Sequence, residues 1–225
     1  MSGTAGGAPA RARLSRPAEI TRRGLVDAAT AVFAQHGFSG GSVRLITTKA
    51  KANQAAITYH FGGKEGLYRE VLIAARDAFE KMGLLDEEGA RTLPREEALR
   101  LFLRQYLLPL VKRNQFSRYL RIFAWETLSP TAVALKLSAE RPFPMVVLSS
   151  RIVERFLPAG TSRRDGLVAT LWLANQPMTF VRNAELLSRE PFNLSFDAAS
   201  VDELVETLAG LCLGGLGGSG PVRHG

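Results

Sequence analysis

Sulfur and imidazole are scarce in this chain. Its 225 residues include one cysteine, Cys212, so no intrachain disulfide can form, which fits a protein of the reducing cytoplasm. Cys212 falls in an apolar stretch near the end and reads as an inert buried thiol. The three histidines, His36, His60 and His224, have no metal-ligand spacing with one another or with Cys212. No metal and no cofactor is therefore expected. The stretch "FGGKEG" lacks the glycine–lysine order of a phosphate-cradling loop. With no nucleophile placed beside a base, an enzyme is not expected. No apolar run reaches the roughly 20 residues needed to cross a bilayer, so no membrane partner is expected. The opening "MSGTAGGAPARARLSRP" carries arginines without an apolar core behind them, so it does not read as a secretory signal. Strand alternation with turn pairs is also missing.

What is present is positive charge, unevenly placed. The formal net charge is +8. Residues 1–81 hold 12 Lys/Arg against 6 Asp/Glu, and residues 82–225 hold 17 against 15. A basic N-terminal third on a near-neutral body points to a polyanionic partner for that third. A hydrophobic content of 46% with 22% charged residues is ordinary for a globular protein.

Residues 1–17 are rich in Gly, Ala, Pro and Arg without periodicity and read as a disordered tail. Its Arg11, Arg13 and Arg16 suit either solvent or a DNA minor groove. The first helix is expected from Ala18 to His36, with Leu25, Ala28, Ala29, Val32 and Phe33 on one face and Gly37 ending it. Ser42 then fits an N-cap for a short helix carrying Val43, Ile46 and Ala50. After the break Lys51-Ala52-Asn53, Asn53 caps a second short helix from Gln54 to about His60. Two short helices across a tight turn, after a longer one, make a helix-turn-helix, with the Gln54 helix as the reading element.

Read this way, Gln54 offers a bidentate partner to adenine, and Ala55 and Ala56 allow close approach to a thymine methyl. Thr58 shares their exposed side, Tyr59 and His60 suit phosphates, and Arg44 reaches guanine or a phosphate. Lys64 opens the next helix, where a cation meets the positive end of the helix dipole at a cost of up to about 1 kcal/mol. A DNA phosphate would reverse that sign, whereas solvation would only screen it.

The pieces "LVDAATAVFAQHGF", "SVRLIT", "NQAAITYHF" and "GGKEGLY" resemble, in order and spacing, the DNA-binding domain of TetR-family regulators. The stretches "LRLFLRQYLLPL" and "FSRYLRIFAWETLSPT" resemble the CecR-like branch of that family. The resemblance implies DNA contacts by Arg44, Gln54, Ala56, Tyr59, His60 and Lys64. It also implies a homodimer on a palindromic double-stranded operator, and a C-terminal domain whose small-molecule effector releases the DNA. The chain departs from the family pattern at Lys51, where a turn glycine is usual. It also departs at Thr47, Thr58 and Gly63. Lys51 in a left-handed conformation costs about 1 kcal/mol, and a phosphate contact would offset that.

The fold expected is all-α: a helix-turn-helix domain over 18–63, a helical ligand-binding and dimerisation domain over 64–213, and a flexible tail over 214–225. A helix starting at Lys64 presents Leu67, Val71, Ala75, Ala78 and Met82 on one face. "LDEEGARTLP" reads as a loop. Pro94 opens a helix that Pro109 kinks before about Asn114. Further helices are expected at 117–127, 131–139, 143–157, 163–188 (interrupted by Pro177) and 201–213, the last with a capping box from Ser200 to Glu203.

Glu126 lies among Tyr119, Ile122 and Phe123 on one apolar helix face, where a carboxylate is costly unless it is partnered. It is either part of a ligand site, with Phe102, Tyr106, Phe123 and Trp125 around it, or is held by a protein group such as an arginine. Leu167, Leu171 and Met178 on one helix and Leu204, Leu208 and Leu211 on another suit a four-helix dimer interface, or burial within one chain. Two other readings stay open, a DNA binder without ligand control and a protein-interaction module of the same fold.

Overall fold

A computed structural model describes residues 16–82, 84–112 and 114–217, apart from the side chains of Met82 and Gly217. The arginines at 11 and 13, His224 and the Met82 side chain lie outside the described residues. Among those residues there are eleven α-helices and no strand.

Helix α1 (Arg16–Gly40) begins two residues before the predicted start, and its buried face is the predicted one, Leu25 to Phe33. It breaks at Gly37, where φ is 65°. A side chain there would also meet the Trp125 ring at 3.2 Å. Ser42 caps α2 (Val43–Ala50), accepting from the Leu45 N–H at 3.2 Å. Asn53 caps α3 (Gln54–Phe61), accepting from the Ala55 N–H at 2.9 Å. Between them Lys51 adopts the left-handed conformation, φ 52° and ψ 41°. Gly62 ends α3, and α4 (Lys64–Met82) buries Leu67, Val71 and Ala75.

The body departs from the sequence expectations in five places. The presumed loop after α4 contains a short helix, α5 (Glu87–Thr92), because Asp86 accepts from the Gly89 N–H at 2.7 Å and Ala90 is buried. Helix α6 (Arg95–Leu107) does not continue through a kink. It ends, and Pro109 sits inside a 3-10 turn over Leu108–Leu110. Pro177 does not interrupt α10 (Arg163–Leu187), which runs through it as one helix. The predicted capping box at Ser200 does not form, since α11 (Ala198–Gly217) starts earlier and Asp197 accepts from the Ser200 N–H at 2.9 Å. The remaining helices are α7 (Gln115–Glu126), α8 (Ala132–Glu140) and α9 (Pro144–Val153). Helix α11 extends four residues into the presumed tail.

Packing follows the apolar faces. Helix α1 lies on α2 and α4 within the N-terminal head and on α7 of the body. Helix α4 bridges the two, touching α3 at one end and α7, α8 and α9 further along. Three pairs tie α4 to its neighbours: Arg22 of α1 with Glu70, Arg69 with Glu140 at 3.6 Å, and Arg141 with Glu80 at 2.7 Å. In the body α11 packs along α6, and α10 packs on α9, α7 and α6.

Candidate nucleic-acid interface and its link to an apolar cavity

Ile57 is the one fully buried residue of α3, and it fixes which side of that short helix faces out. Gln54, Ala55, Thr58 and Tyr59 are exposed, Tyr59 at 76%, while Ala56 and His60 are half-buried. Arg44 on α2 and Lys51 in the turn are exposed as well. The nine residues singled out from the sequence therefore lie on α2, the turn, α3 and the start of α4, with no carboxylate ion-paired to any of them among the described residues.

Lys64 is placed differently from a freely solvated lysine. Its ammonium sits 4.4 Å from the Phe38 ring centroid, a cation–π contact worth about 0.5–1 kcal/mol that offsets the unfavourable helix dipole. Partial burial lowers its pKa. The thiol of Cys212 is buried, which pushes its pKa up to about 11 and keeps it protonated, in line with an inert core cysteine.

Helix α4, which packs on the head, is tied to α7 by a hydrogen bond that the sequence candidates only half include. Tyr68 of α4 is fully buried, with its ring 4.8 Å from both Phe33 and Phe38. Its hydroxyl donates to Glu126 Oε1 of α7 at 2.5 Å, the length of a charge-assisted hydrogen bond. Burial, first, and then the carboxylate beside it push the Tyr68 pKa well up, so it remains the donor. Glu126 also accepts from the Thr131 N–H at 2.7 Å and the Thr131 hydroxyl at 3.1 Å. No arginine, lysine or histidine among the described residues pairs with it. Its internal partners are thus a tyrosine and a threonine rather than the arginine considered from the sequence.

Glu126 also borders a cavity of about 270 Å³, whose wall is almost wholly apolar. Of the sequence candidates Tyr106 and Phe123 line it, together with Phe79, Phe143 and Met145. Two of the proposed lining residues do not. Phe102 is fully buried in the core behind Tyr106. Trp125, on the far side of α7, lies over Gly37 and donates from its indole N–H to the Ala34 carbonyl at 3.3 Å. It braces head against body. A wider groove of about 710 Å³ between α7 and residues 184–196 is lined largely by polar groups such as Arg118, Arg121, Ser188 and Asn193, and none of the sequence candidates borders it.

The presumed dimer residues divide by exposure. Leu167, Leu171 and Leu211 are 56%, 47% and 66% exposed, and Leu204 is half-buried. Met178 and Leu208 are buried inside the protomer, so they are unavailable to a partner as α10 and α11 stand. Their helices turn one apolar stripe inward and leave another outward, a distinction that helical spacing alone does not make.

Two family models cover most of the chain. Residues 25–71 match the bacterial regulatory proteins of the tetR family, and residues 95–216 match the C-terminal domain of the HTH-type transcriptional dual regulator CecR. The chain belongs to the TetR family. The curated relatives match over less than a third of this chain, which spans only about a quarter to a third of their own length. The HTH-type transcriptional repressor NicS of Pseudomonas putida is 43% identical over 58 residues, 26% of this chain and 27% of NicS. The HTH-type transcriptional repressor AcnR of Corynebacterium glutamicum is 32% identical over 69 residues, 31% of this chain and 36% of AcnR. Among solved TetR folds, AibR, in complex with isovaleryl coenzyme A and operator DNA, matches with TM-score 0.61 at 17% identity, over 83% of this chain and 97% of that one. A TetR-like regulator from a Rhodococcus species matches with TM-score 0.59 at 20% identity, over 92% of this chain and all of that one. At those identities the likeness establishes the fold. Both matching family models are of transcriptional regulators, so the chain belongs to a family of regulators rather than enzymes. No described helix is long and apolar enough to cross a membrane.

Proposed function

We propose that the protein is a cytoplasmic, homodimeric repressor that reads a palindromic operator and leaves it when a small molecule fills the cavity beside Glu126. The head, residues 18–63, would read DNA, and residues 64–213 would dimerise and bind the effector. The observation that carries the reading is the face of α3: Ile57 anchors it while Gln54, Ala55, Thr58 and Tyr59 stand free. In a major groove Gln54 would read adenine, the two alanines would admit the duplex closely, Arg44 would reach guanine or a phosphate, and Lys51, Tyr59, His60 and Lys64 would hold phosphates. Phosphate contact would also give Lys51 a reason to occupy a left-handed turn where glycine is less strained.

Repression is supported by NicS and AcnR, two of the curated relatives, both named repressors. Ligand control is supported by the cavity and by AibR, a fold neighbour that holds an acyl coenzyme A and operator DNA together. In this account the effector works through α4, whose first turn follows the recognition helix and whose Tyr68 touches the cavity carboxylate. Recognition helices must meet half-sites about 34–36 Å apart, so a shift of a few ångströms in α4 would mismatch them. The effector shifts nothing unless it prefers the DNA-free state.

The dimer is tested at its exposed stripe. Leu167→Glu with Leu211→Glu is expected to leave the fold intact, since both side chains face solvent in the protomer. It should convert a dimer to a monomer in sedimentation velocity. DNA affinity should fall on the order of a hundredfold as the second reading head is lost. A wild-type monomer, or a double variant that stays dimeric, would remove this face from the account.

A further inference from the structure

The geometry points to a lipophilic amine as the effector, its ammonium group taking Glu126 from Tyr68. The inference rests on the ligand-released regulator described above and specifies the chemistry of its cavity.

The carboxylate of Glu126 is buried, and every partner it has is neutral: one tyrosine hydroxyl, one threonine hydroxyl and one backbone N–H. A buried anion without a cation is costly to keep, and a cation delivered to the cavity edge supplies the missing counter-charge. The rest of the wall suits such a cation. Phe79, Phe123 and Phe143 follow one another edge to face, at centroid separations of 5.1 and 4.8 Å. Aromatic faces beside a carboxylate attract ammonium groups and disfavour carboxylate ligands.

Tyr106 contributes to the same wall. Tyr106 is buried, and its hydroxyl has no hydrogen-bond partner of good geometry. The Gln105 amide beside it already accepts from the Leu85 N–H at 2.8 Å. The hydroxyl itself is buried away from the cavity surface, so Glu126 is the polar group that a ligand meets there. The complement of this wall is an apolar body with an ammonium at one end. The cavity, about 270 Å³, limits that body to one or two rings.

The regulatory consequence follows from the shared oxygen. Oε1 of Glu126 receives the Tyr68 hydroxyl, and an ammonium group bound there competes for it. Tyr68 packs on Phe33 and Phe38 of the head, so the exchange loosens the contact by which the body holds the head in position.

The test uses the full-length protein and a matched series of one- and two-ring compounds: arylalkylamines, the alcohols of the same skeletons, and the corresponding carboxylates. Binding is read by calorimetry and by the fluorescence of Trp125 in a Trp172→Phe background. Amines should bind about tenfold or more tightly than their alcohols, the worth of a charge-assisted hydrogen bond, and carboxylates not at all. Glu126→Gln, which still offers Tyr68 an acceptor, should erase the preference. Tyr68→Phe should tighten amine binding a few-fold by freeing the carboxylate. Alcohols or carboxylates binding as well as amines would overturn the inference, as would no amine binding at millimolar concentration. DNA affinity measured alongside separates the two levels. Amines that bind through Glu126 yet leave DNA bound would overturn release while leaving the ligand class standing. DNA binding that persists with no amine bound at all would leave the regulator reading intact and remove this one.

Discussion

Alanine at position 66 is expected to cost about 3 kcal/mol or more and to abolish DNA binding. Helix propensity alone predicts the opposite, because Gly66 lies in α4 and alanine is favoured over glycine in a helix by about 1 kcal/mol. The steric term decides. A Cβ at Gly66 would lie 1.8 Å from the Phe61 carbonyl oxygen and 3.0 Å from its carbon. Both are backbone atoms at the end of the recognition helix, so no rotamer change relieves the overlap, and α3 must move relative to α4. Gly24→Ala is the matched control. It too is a helical glycine, with nothing within 4 Å of the added carbon, and it should stabilise the protein by about 0.5–1 kcal/mol. Denaturant midpoints of the three proteins, with DNA binding by anisotropy, check both signs.

Tyr68→Ala is expected to destabilise by about 3–5 kcal/mol, the range for emptying a buried aromatic site. The ring is fully buried between Phe33 and Phe38, and its loss opens the core where head meets body. Tyr68→Phe keeps the ring and removes only the hydrogen bond to Glu126, which retains both Thr131 donors. Its cost should be about 1–2 kcal/mol. Comparing the two variants by denaturation separates packing from the polar link. Equal losses would mean that the ring contributes little, contrary to its burial.

The N-terminal head was legible because short-range chemistry determines it. Ser42 and Asn53 are good caps, the break between them is three residues long, and Ile57 is the apolar residue that orients α3. Gly66 and Tyr68 stood inside the quoted "GGKEGLY", yet their roles were not legible. The first depends on a backbone oxygen of the preceding helix, and the second on a carboxylate 58 residues away. Glu126 was found as an anomaly on an apolar face, but its partners were not, because Thr131 lies beyond the helix end and Tyr68 beyond any local pattern. Trp125 was misplaced for a related reason. It neighbours Glu126 in sequence, and adjacent helical residues point about 100° apart. Met178 and Leu208 show the limit of periodicity, which marks an apolar stripe without telling which neighbour covers it.

The head carries the central claim, and the most direct test is a selection of bound duplexes from a random pool at low salt. Wild type is compared with Gln54→Ala and Arg44→Ala. Wild type should enrich a palindrome with half-sites one duplex turn apart. Gln54→Ala should relax preference at one position in each half-site, by about 1–3 kcal/mol of discrimination. No enrichment by the folded wild-type protein would contradict the account, and the exposed face of α3 would then have to serve a protein partner instead.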